Sequence, residues 1–414
     1  MGDLTWTHQH LFTFPLEALR HYIVCLGASG SGKTETLLRL AYGARRVYRQ
    51  QVIYLDAKGE QKPEEEQEAD TAARFVATMR AAGATSVKIF PATHYNGWLG
   101  TPTALTNRLL SVLDFSESPY YGDVAANAVH LALHTPITPR SSRQFLAHLR
   151  PDRLEALYSQ QPRALERIRR LDRRLLEQVR MRYEVFFSTV RGQLDGELSY
   201  EEEGTDAVYL RVQGFALRQE APRLGRFLTH DFMHYIAERR SPGVTTLFII
   251  DEFNVLRLRE EISVLFEQVR SFGGSLVIAA QGYAGLGPAE YANRILDAAN
   301  SYILHSCSDP FPVARRAGKR LRLDTSWSEA EDGAQAAHQH SRATWEWKVP
   351  ENAVMQQAEG QAYWINRGRA QQVLTARVPL TDQQVRDGWQ LIRQQEEAQR
   401  QRLAQARQQH VHAG

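Results

Sequence analysis

The sequence predicts an α/β fold with a mainly parallel central sheet and one inserted all-α subdomain. Three observations predict it. Short apolar, β-branched runs alternate with helical patterns along most of the 414 residues, as in folds built on right-handed crossovers. Many of those runs are apolar throughout, which suits strands covered on both faces. The alternation stops between about Leu99 and Gly204, where helical patterns and prolines continue without a convincing strand.

In chain order, the expected strands are Tyr22–Leu26, Gln51–Asp56, Ser86–Phe90, Ala207–Gln213, Thr246–Asp251, Ser275–Ala280 and Ser301–His305. Helices are expected over Thr34–Tyr48, Ala221–Arg239, Arg259–Ser271 and Glu290–Ala299. Within the insertion, Leu165, Ile168, Leu171, Leu175 and Val179 recur at helical spacing through Pro162–Tyr183, with arginines on the other positions. Near the end, Thr381-Asp-Gln-Gln resembles a capping box. A Gln- and Arg-rich amphipathic helix follows it to about His410. The expected division is therefore a discontinuous motor domain (1–98 and 204–380), an inserted helical subdomain (99–203) and a C-terminal helix (381–414).

Composition excludes several classes. Hydrophobic residues at 43% and charged residues at 23% are globular proportions, which rule out wholesale disorder. Two cysteines, Cys25 and Cys307, cannot build a disulfide framework or a zinc finger. The longest apolar runs, such as Leu247–Ile250 and Leu276–Ala280, fall far short of the ~20 residues of a membrane span. No secretion signal is read at Met1-Gly-Asp-Leu-Thr. The expectation is a cytoplasmic protein. Its net charge is only +3, yet Arg140–Arg191 holds thirteen Arg, no Lys and six Asp or Glu. Such a basic segment is a candidate footprint for a polyanion.

Chemistry enters at Gly27-Ala28-Ser29-Gly30-Ser31-Gly32-Lys33-Thr34, a full match to the phosphate-loop pattern G-x-x-x-x-G-K-[ST]. It follows an apolar strand and opens a helix, the context that the motif requires. Its glycines let backbone N–H groups wrap phosphate oxygens, and the new helix N-terminus adds positive potential. Lys33 is expected to bridge β- and γ-phosphates, and the Thr34 hydroxyl to hold Mg²⁺. Chance would supply only about 0.01–0.02 such matches in a chain of this length. ATP and Mg²⁺ are the expected cofactors.

A nucleotide hydrolase also needs acids at a strand end. Thr246-Leu-Phe-Ile-Ile-Asp251-Glu252 supplies two, at the sheet edge where open α/β proteins bind ligands. Asp251 would steady Mg²⁺ through its water shell, and Glu252 would accept the proton of the attacking water. The bland alternative is a pair of ordinary surface acids. Gln281, after the next strand, could hold that water or report the γ-phosphate; otherwise it is a polar strand end. Arg270 could reach a neighbouring subunit's γ-phosphate as an arginine finger, or could be a solvated helix-end arginine.

Together, the phosphate loop, Leu55-Asp56-Ala-Lys58-Gly59-Glu60, Phe248-Ile-Ile-Asp251-Glu252-Phe, Val269-Arg270-Ser-Phe-Gly and Val277-Ile-Ala-Ala-Gln281 resemble the HerA/FtsK superfamily of hexameric DNA pumps. The Asp-x-Lys-Gly-Glu signature and the helical insertion after the third strand resemble its conjugative and type IV secretion coupling proteins. The resemblance spans most of Tyr22 to Pro379 and is specific at those motifs. It implies a RecA-like motor, a homohexameric ring with a DNA channel, and ATP between subunits. By motif position it implies Lys33 and Thr34 as phosphate and Mg²⁺ ligands, Asp251 and Glu252 as metal and catalytic acids, Gln281 as sensor and Arg270 as trans-acting finger. One departure is clear: typical coupling proteins begin with transmembrane helices, and this chain reaches its phosphate loop by Gly27 without one.

The expected function is an ATP-driven DNA translocase in conjugative or other cell-to-cell DNA transfer, with a nuclease or the transfer machinery as partner. Alternatives are a HerA-like DNA-processing motor, a protein-secretion ATPase, and a phosphotransferase or nucleotide switch. For DNA contact, Arg169, Arg170, Arg173 and Arg174 are candidates on the basic helix, and Arg257 and Arg259 are channel-loop candidates. The competing reading of the basic helix is a solvated face with internal Glu166–Arg169, Glu166–Arg170 and Arg173–Glu177 pairs.

Overall fold

The computed structural model describes residues 22–59, 62–113, 119–202, 204–212, 220–256, 265–266, 269, 271–328 and 338–412. Its strands are β1 (Tyr22–Leu26), β2 (Gln51–Asp56), β3 (Val87–Phe90), β4 (Ala207–Arg211), β5 (Thr246–Asp251), β6 (Gly274–Ala280), β7 (Ser301–His305), β8 (Lys319–Ser328), β9 (His338–Trp347), β10 (Gln361–Asn366) and β11 (Arg369–Leu374). Nine of them form one mostly parallel sheet in the order β11-β10-β7-β1-β6-β5-β2-β4-β3, and β8 pairs with β9 as a separate hairpin. The fold is mixed α/β with a RecA-like arrangement of parallel strands. The chain divides into two compact units, Met1–Thr36 with Ile278–Arg377, and Leu37–Val277 with Val378–Gly414. The boundary falls inside β6 and inside the helix α1 (Lys33–Tyr48).

In the first unit, β1 and β7 are parallel and fully buried, with Ile23 opposite Ser301 and Leu26 opposite Leu304. Their continuous apolar sequences are what such a position requires. β10 then runs antiparallel to both β7 and β11. These last two strands and the β8–β9 hairpin are absent from the expected set.

In the second unit, β2 lies parallel between β4 and β5, with Asp56 opposite both Arg211 and Asp251. β3 pairs with β4 and ends the sheet. The C-terminal helix Asp382–His412 packs on α2 (Thr71–Ala81) through buried Val385, Trp389 and Ile392. It starts with a capping box: Gln384 N–H donates to Thr381 Oγ1 (3.2 Å), and Thr381 N–H donates to Gln384 Oε1 (2.8 Å). Further along, the Gln395 amide accepts from Ile89 N–H (2.9 Å) and donates to Val87 O (2.8 Å) on β3.

Between β3 and β4 the described residues form the helices α3 (Pro102–Leu110), α4 (Pro119–Leu133), α5 (Ser142–His148), α6 (Pro151–Leu157), α7 (Pro162–Arg169) and α8 (Arg173–Thr189). The periodic stretch Pro162–Tyr183 is thus two helices. Asp172 stops the first from continuing by capping the second, its side chain accepting from Arg174 N–H (2.8 Å). A buried ionic cluster ties this segment to the rest of its unit. Arg108 on α3 is fully buried and donates to Gly97 O (2.6 Å) and Leu99 O (3.0 Å). It also pairs with buried Asp231, which accepts from Tyr95 OH and Arg239 as well. Asp231 lies on the helix Glu220–His234. No described helix is long and apolar enough to cross a membrane.

Candidate nucleotide-binding site

β1 delivers the chain into the loop Gly27–Gly32, and α1 starts at Lys33. Gly30 and Gly32 take left-handed backbone angles, φ 76° and 92°, which side-chain-bearing residues adopt only with strain. Gly32 is also sterically required: a Cβ there would lie 2.6 Å from Gly360 N. Gly27 N–H donates to Ala280 O (3.1 Å), and Ala28 N–H to Ser306 O (2.8 Å). These bonds fix the loop's entry to the neighbouring strand ends. Lys33 is buried, and its ammonium donates to Gly27 O (3.3 Å) across the loop. Thr34 is half-buried beside it. Ser31 Oγ is buried and has no hydrogen-bond partner among the described residues. A left-handed glycine cradle, a buried ammonium, an unsatisfied hydroxyl and a helix N-terminus together fit a phosphate group with its Mg²⁺.

Gln281 follows β6 directly and is exposed. Arg257, Arg259 and Arg270 lie outside the described residues, as does most of the expected helix Arg259–Ser271.

At the end of β5, Asp251 is buried and held at both oxygens. Glu252 N–H donates to Oδ1 (2.9 Å), and Tyr54 OH donates to Oδ2 (2.9 Å). Glu252 itself is left-handed, φ 53° and ψ 51°, a conformation that costs a non-glycine residue about 1–2 kcal/mol. Strain of this kind concentrates at functional positions. The conformation turns the chain sharply after the buried carboxylate while keeping the Glu252 side chain only partly covered.

The structure also accounts locally for Asp56 and Gly59. Asp56 Oδ2 accepts from Tyr209 OH (2.5 Å), and Oδ1 accepts from Lys58 N–H (3.1 Å). A Cβ on Gly59 would stand 2.7 Å from Asp56 Oδ2. Burial raises the Asp56 pKa, against the lowering effect of the Tyr209 hydrogen bond. Beside it, Arg211 donates to both oxygens of Asp70 (2.6 and 2.9 Å), whose carboxylate also caps α2. Sequence reasoning missed Tyr54, Tyr209 and Arg211 as partners of these acids. The one available signal was their position in strands that end at the acidic edge.

His305, at the end of β7, was also missed. It is fully buried, and burial with the nearby Lys33 ammonium lowers its pKa from 6.5 to about 4, against a hydrogen bond to Gln361 O. An unfolded chain takes up this proton below pH ~6.5, whereas the folded one resists until about pH 4. The stability contributed is therefore present above ~6.5 and lost as pH falls toward 4. We expect His305→Asn to flatten the acid limb of urea-unfolding midpoints between pH 6.5 and 4.5, by on the order of 2–3 kcal/mol. An unaltered limb would show that His305 titrates normally.

The candidate basic face is partly paired. Arg170 pairs with Glu166 as expected, but Arg169 (3.6 Å) and Arg173 (3.1 Å) both turn to Glu155 on α6. Glu177 pairs with Arg180 (2.6 Å) instead of Arg173. The break between α7 and α8 separates Arg169 and Arg173 from the single-helix spacing. The Arg174 side chain is exposed.

Solved structures sharing this architecture include the bacterial conjugative coupling protein TrwB lacking its first 70 residues, at TM-score 0.62 and 14% identity over 88% of this chain and 87% of that one. The chain has the coupling-protein fold. The plasmid coupling protein TrwB in complex with ADP and Mg²⁺ superposes on the same fold at TM-score 0.61 and 14% identity, over 89% of this chain and 88% of that one. VirB4 of Thermoanaerobacter pseudethanolicus shares it at TM-score 0.53 and 12% identity, over 87% and 90% of the two chains. No protein-family model matches, and no curated protein matches by sequence.

Proposed function

We propose that this protein is an ATP-driven DNA translocase of the coupling-protein type, working as a homohexamer in cell-to-cell DNA transfer. The observation that carries this reading is the phosphate loop: left-handed Gly30 and Gly32, buried Lys33 and unsatisfied Ser31 Oγ at the start of α1. It stands on a fold shared with a coupling protein solved with ADP and Mg²⁺. In this reading, the loop's backbone N–H groups from Gly30 to Thr34 and the Lys33 ammonium hold the β- and γ-phosphates, while the Gly27 and Ala28 N–H groups anchor the loop to Ala280 O and Ser306 O. Thr34 and Asp251 hold the Mg²⁺. When bound, that ion neutralises charge developing on the phosphate oxygens. Glu252 takes the proton from the attacking water, Gln281 orients that water, and Arg270 acts from the neighbouring subunit. Residues 99–203 form a functional subdomain whose Arg169, Arg170, Arg173 and Arg174 approach DNA phosphates without reading bases. Arg257 and Arg259 are assigned to a channel loop.

The experiment is steady-state ATP turnover with and without long duplex DNA, beside the mass of the assembly. We expect a hexamer whose turnover rises with DNA. Lys33→Ala removes turnover altogether, because the charge facing the phosphates is gone. Reversal of the four arginines to Glu weakens DNA binding across all sequences, and with it the stimulation, but leaves basal turnover. Turnover indifferent to DNA in a hexameric wild type would replace this reading with that of a protein-secretion ATPase.

A further inference from the structure

The phosphate loop is held from behind by a chain of hydrogen bonds between segments far apart in sequence. His305 Nδ1 lies 2.9 Å from Gln361 O, and His305 Nε2 lies 2.9 Å from Thr36 Oγ1. Thr36 Oγ1 in turn lies 2.7 Å from Thr375 Oγ1. Elementary chemistry fixes the directions. A carbonyl only accepts, so Nδ1 carries the proton. In the neutral ring Nε2 is then an acceptor, so the Thr36 hydroxyl donates to it. Thr36 Oγ1 is left to accept, and Thr375 donates.

The same outer segment touches the loop directly. Gly360 N–H donates to Ser31 O (3.0 Å), and Thr375 N–H donates to Gly360 O (2.9 Å). Gly32 packs so tightly on Gly360 that no side chain fits at position 32. The β10–β11 hairpin therefore grips the loop at Ser31–Gly32 and the first turn of α1 at Thr36. Lys33 and Thr34 lie between these two grips.

We propose that Thr36, His305, Thr375 and Gly360 form a clamp that sets the shape of the phosphate loop, with Thr36 and His305 as positioning residues for nucleotide phosphate. The inference rests on Gly27–Thr34 being the nucleotide site. Removing the Thr36 hydroxyl takes a hydrogen bond from both His305 Nε2 and the Thr375 hydroxyl, and it frees the first turn of α1 behind Lys33. Loop order is then lost in the free protein and has to be restored when nucleotide binds. Affinity falls while chemistry in the loaded site persists.

The test uses the full chain and titrates Mg²⁺ and ADP together, with ATP turnover measured in parallel. Thr36→Val keeps the side-chain shape and removes the hydroxyl. It is expected to weaken ADP binding and raise KM for ATP about tenfold, with kcat changed less than about threefold. Thr36→Ser restores the hydroxyl and is expected to return both constants to within about twofold of wild type. Thr375→Val, at the less buried end of the chain, is expected to shift them in the same direction by about threefold. Wild-type ADP affinity in folded Thr36→Val and Thr375→Val overturns the clamp while leaving the nucleotide site intact. A weakening that Thr36→Ser fails to rescue also overturns it, because packing and not the hydrogen bond would be responsible. A wild-type protein that binds no ADP overturns the nucleotide reading and the clamp with it.

Discussion

Glu252→Gln is expected to lower ATP turnover by roughly two to four orders of magnitude while leaving ATP binding within about twofold of wild type. The side chain keeps its shape and loses the ability to accept a proton. The neighbouring Asp251 keeps its hydrogen bonds from the Glu252 backbone N–H and from Tyr54. Binding and catalysis should therefore separate cleanly. A companion variant uses the left-handed backbone of Glu252. Glu252→Gly relieves that strain, so it should be more stable to unfolding by about 1 kcal/mol, yet be as slow as the glutamine variant. Near-normal turnover by Glu252→Gln would remove Glu252 as the base.

The second large effect is on stability. Arg108→Met should destabilise the protein by ~3–5 kcal/mol, read as a fall in the urea midpoint with unchanged slope. Methionine fills much of the same volume, so packing alone predicts a small change. The penalty comes from what is left behind. Gly97 O and Leu99 O lose their donor inside the protein, and fully buried Asp231 keeps Arg239 and Tyr95 but loses one of two cations. In the double variant Arg108→Met, Asp231→Asn, the remaining carboxylate charge is gone, so part of the loss should be recovered. A single-variant loss below 1 kcal/mol would mean that water reaches the cluster and solvates Asp231.

Much of the fold was legible because its buried strands are continuous in sequence. β1, β2, β5 and β7 are read to the residue from apolar runs, since a strand covered on both faces has no polar alternation. The phosphate loop is equally local: strand, glycines and helix are adjacent in the chain. Legibility failed where structure depends on distant partners. β11, Arg-Ala-Gln-Gln-Val-Leu, is largely exposed and carries no apolar face to announce it. The α7–α8 break kept its apolar positions in helical phase, so periodicity alone could not see Asp172 restarting the helix. The left-handed Glu252 has no signature, since Glu rarely adopts that backbone. The contact of Thr36 with His305 crosses 269 positions, and only the folded chain brings them together.

The amide of Gln395 has a wider consequence. β3 is the last strand of its sheet, and an outer strand offers unpaired N–H and C=O groups to any extended chain that drifts past. One side chain covers that invitation at Ile89 N–H and Val87 O, in the donor-and-acceptor pattern that an added strand would use. The C-terminal helix is thus a guard against edge-to-edge aggregation as well as a packing element. A helix can lie across a strand edge but cannot extend it, so growth of the sheet from one molecule into the next is blocked on that side. Gln395→Leu would leave the helix docked through Trp389 and Ile392 and uncover this edge, so light scattering from the concentrated variant is expected to exceed that of the unaltered chain.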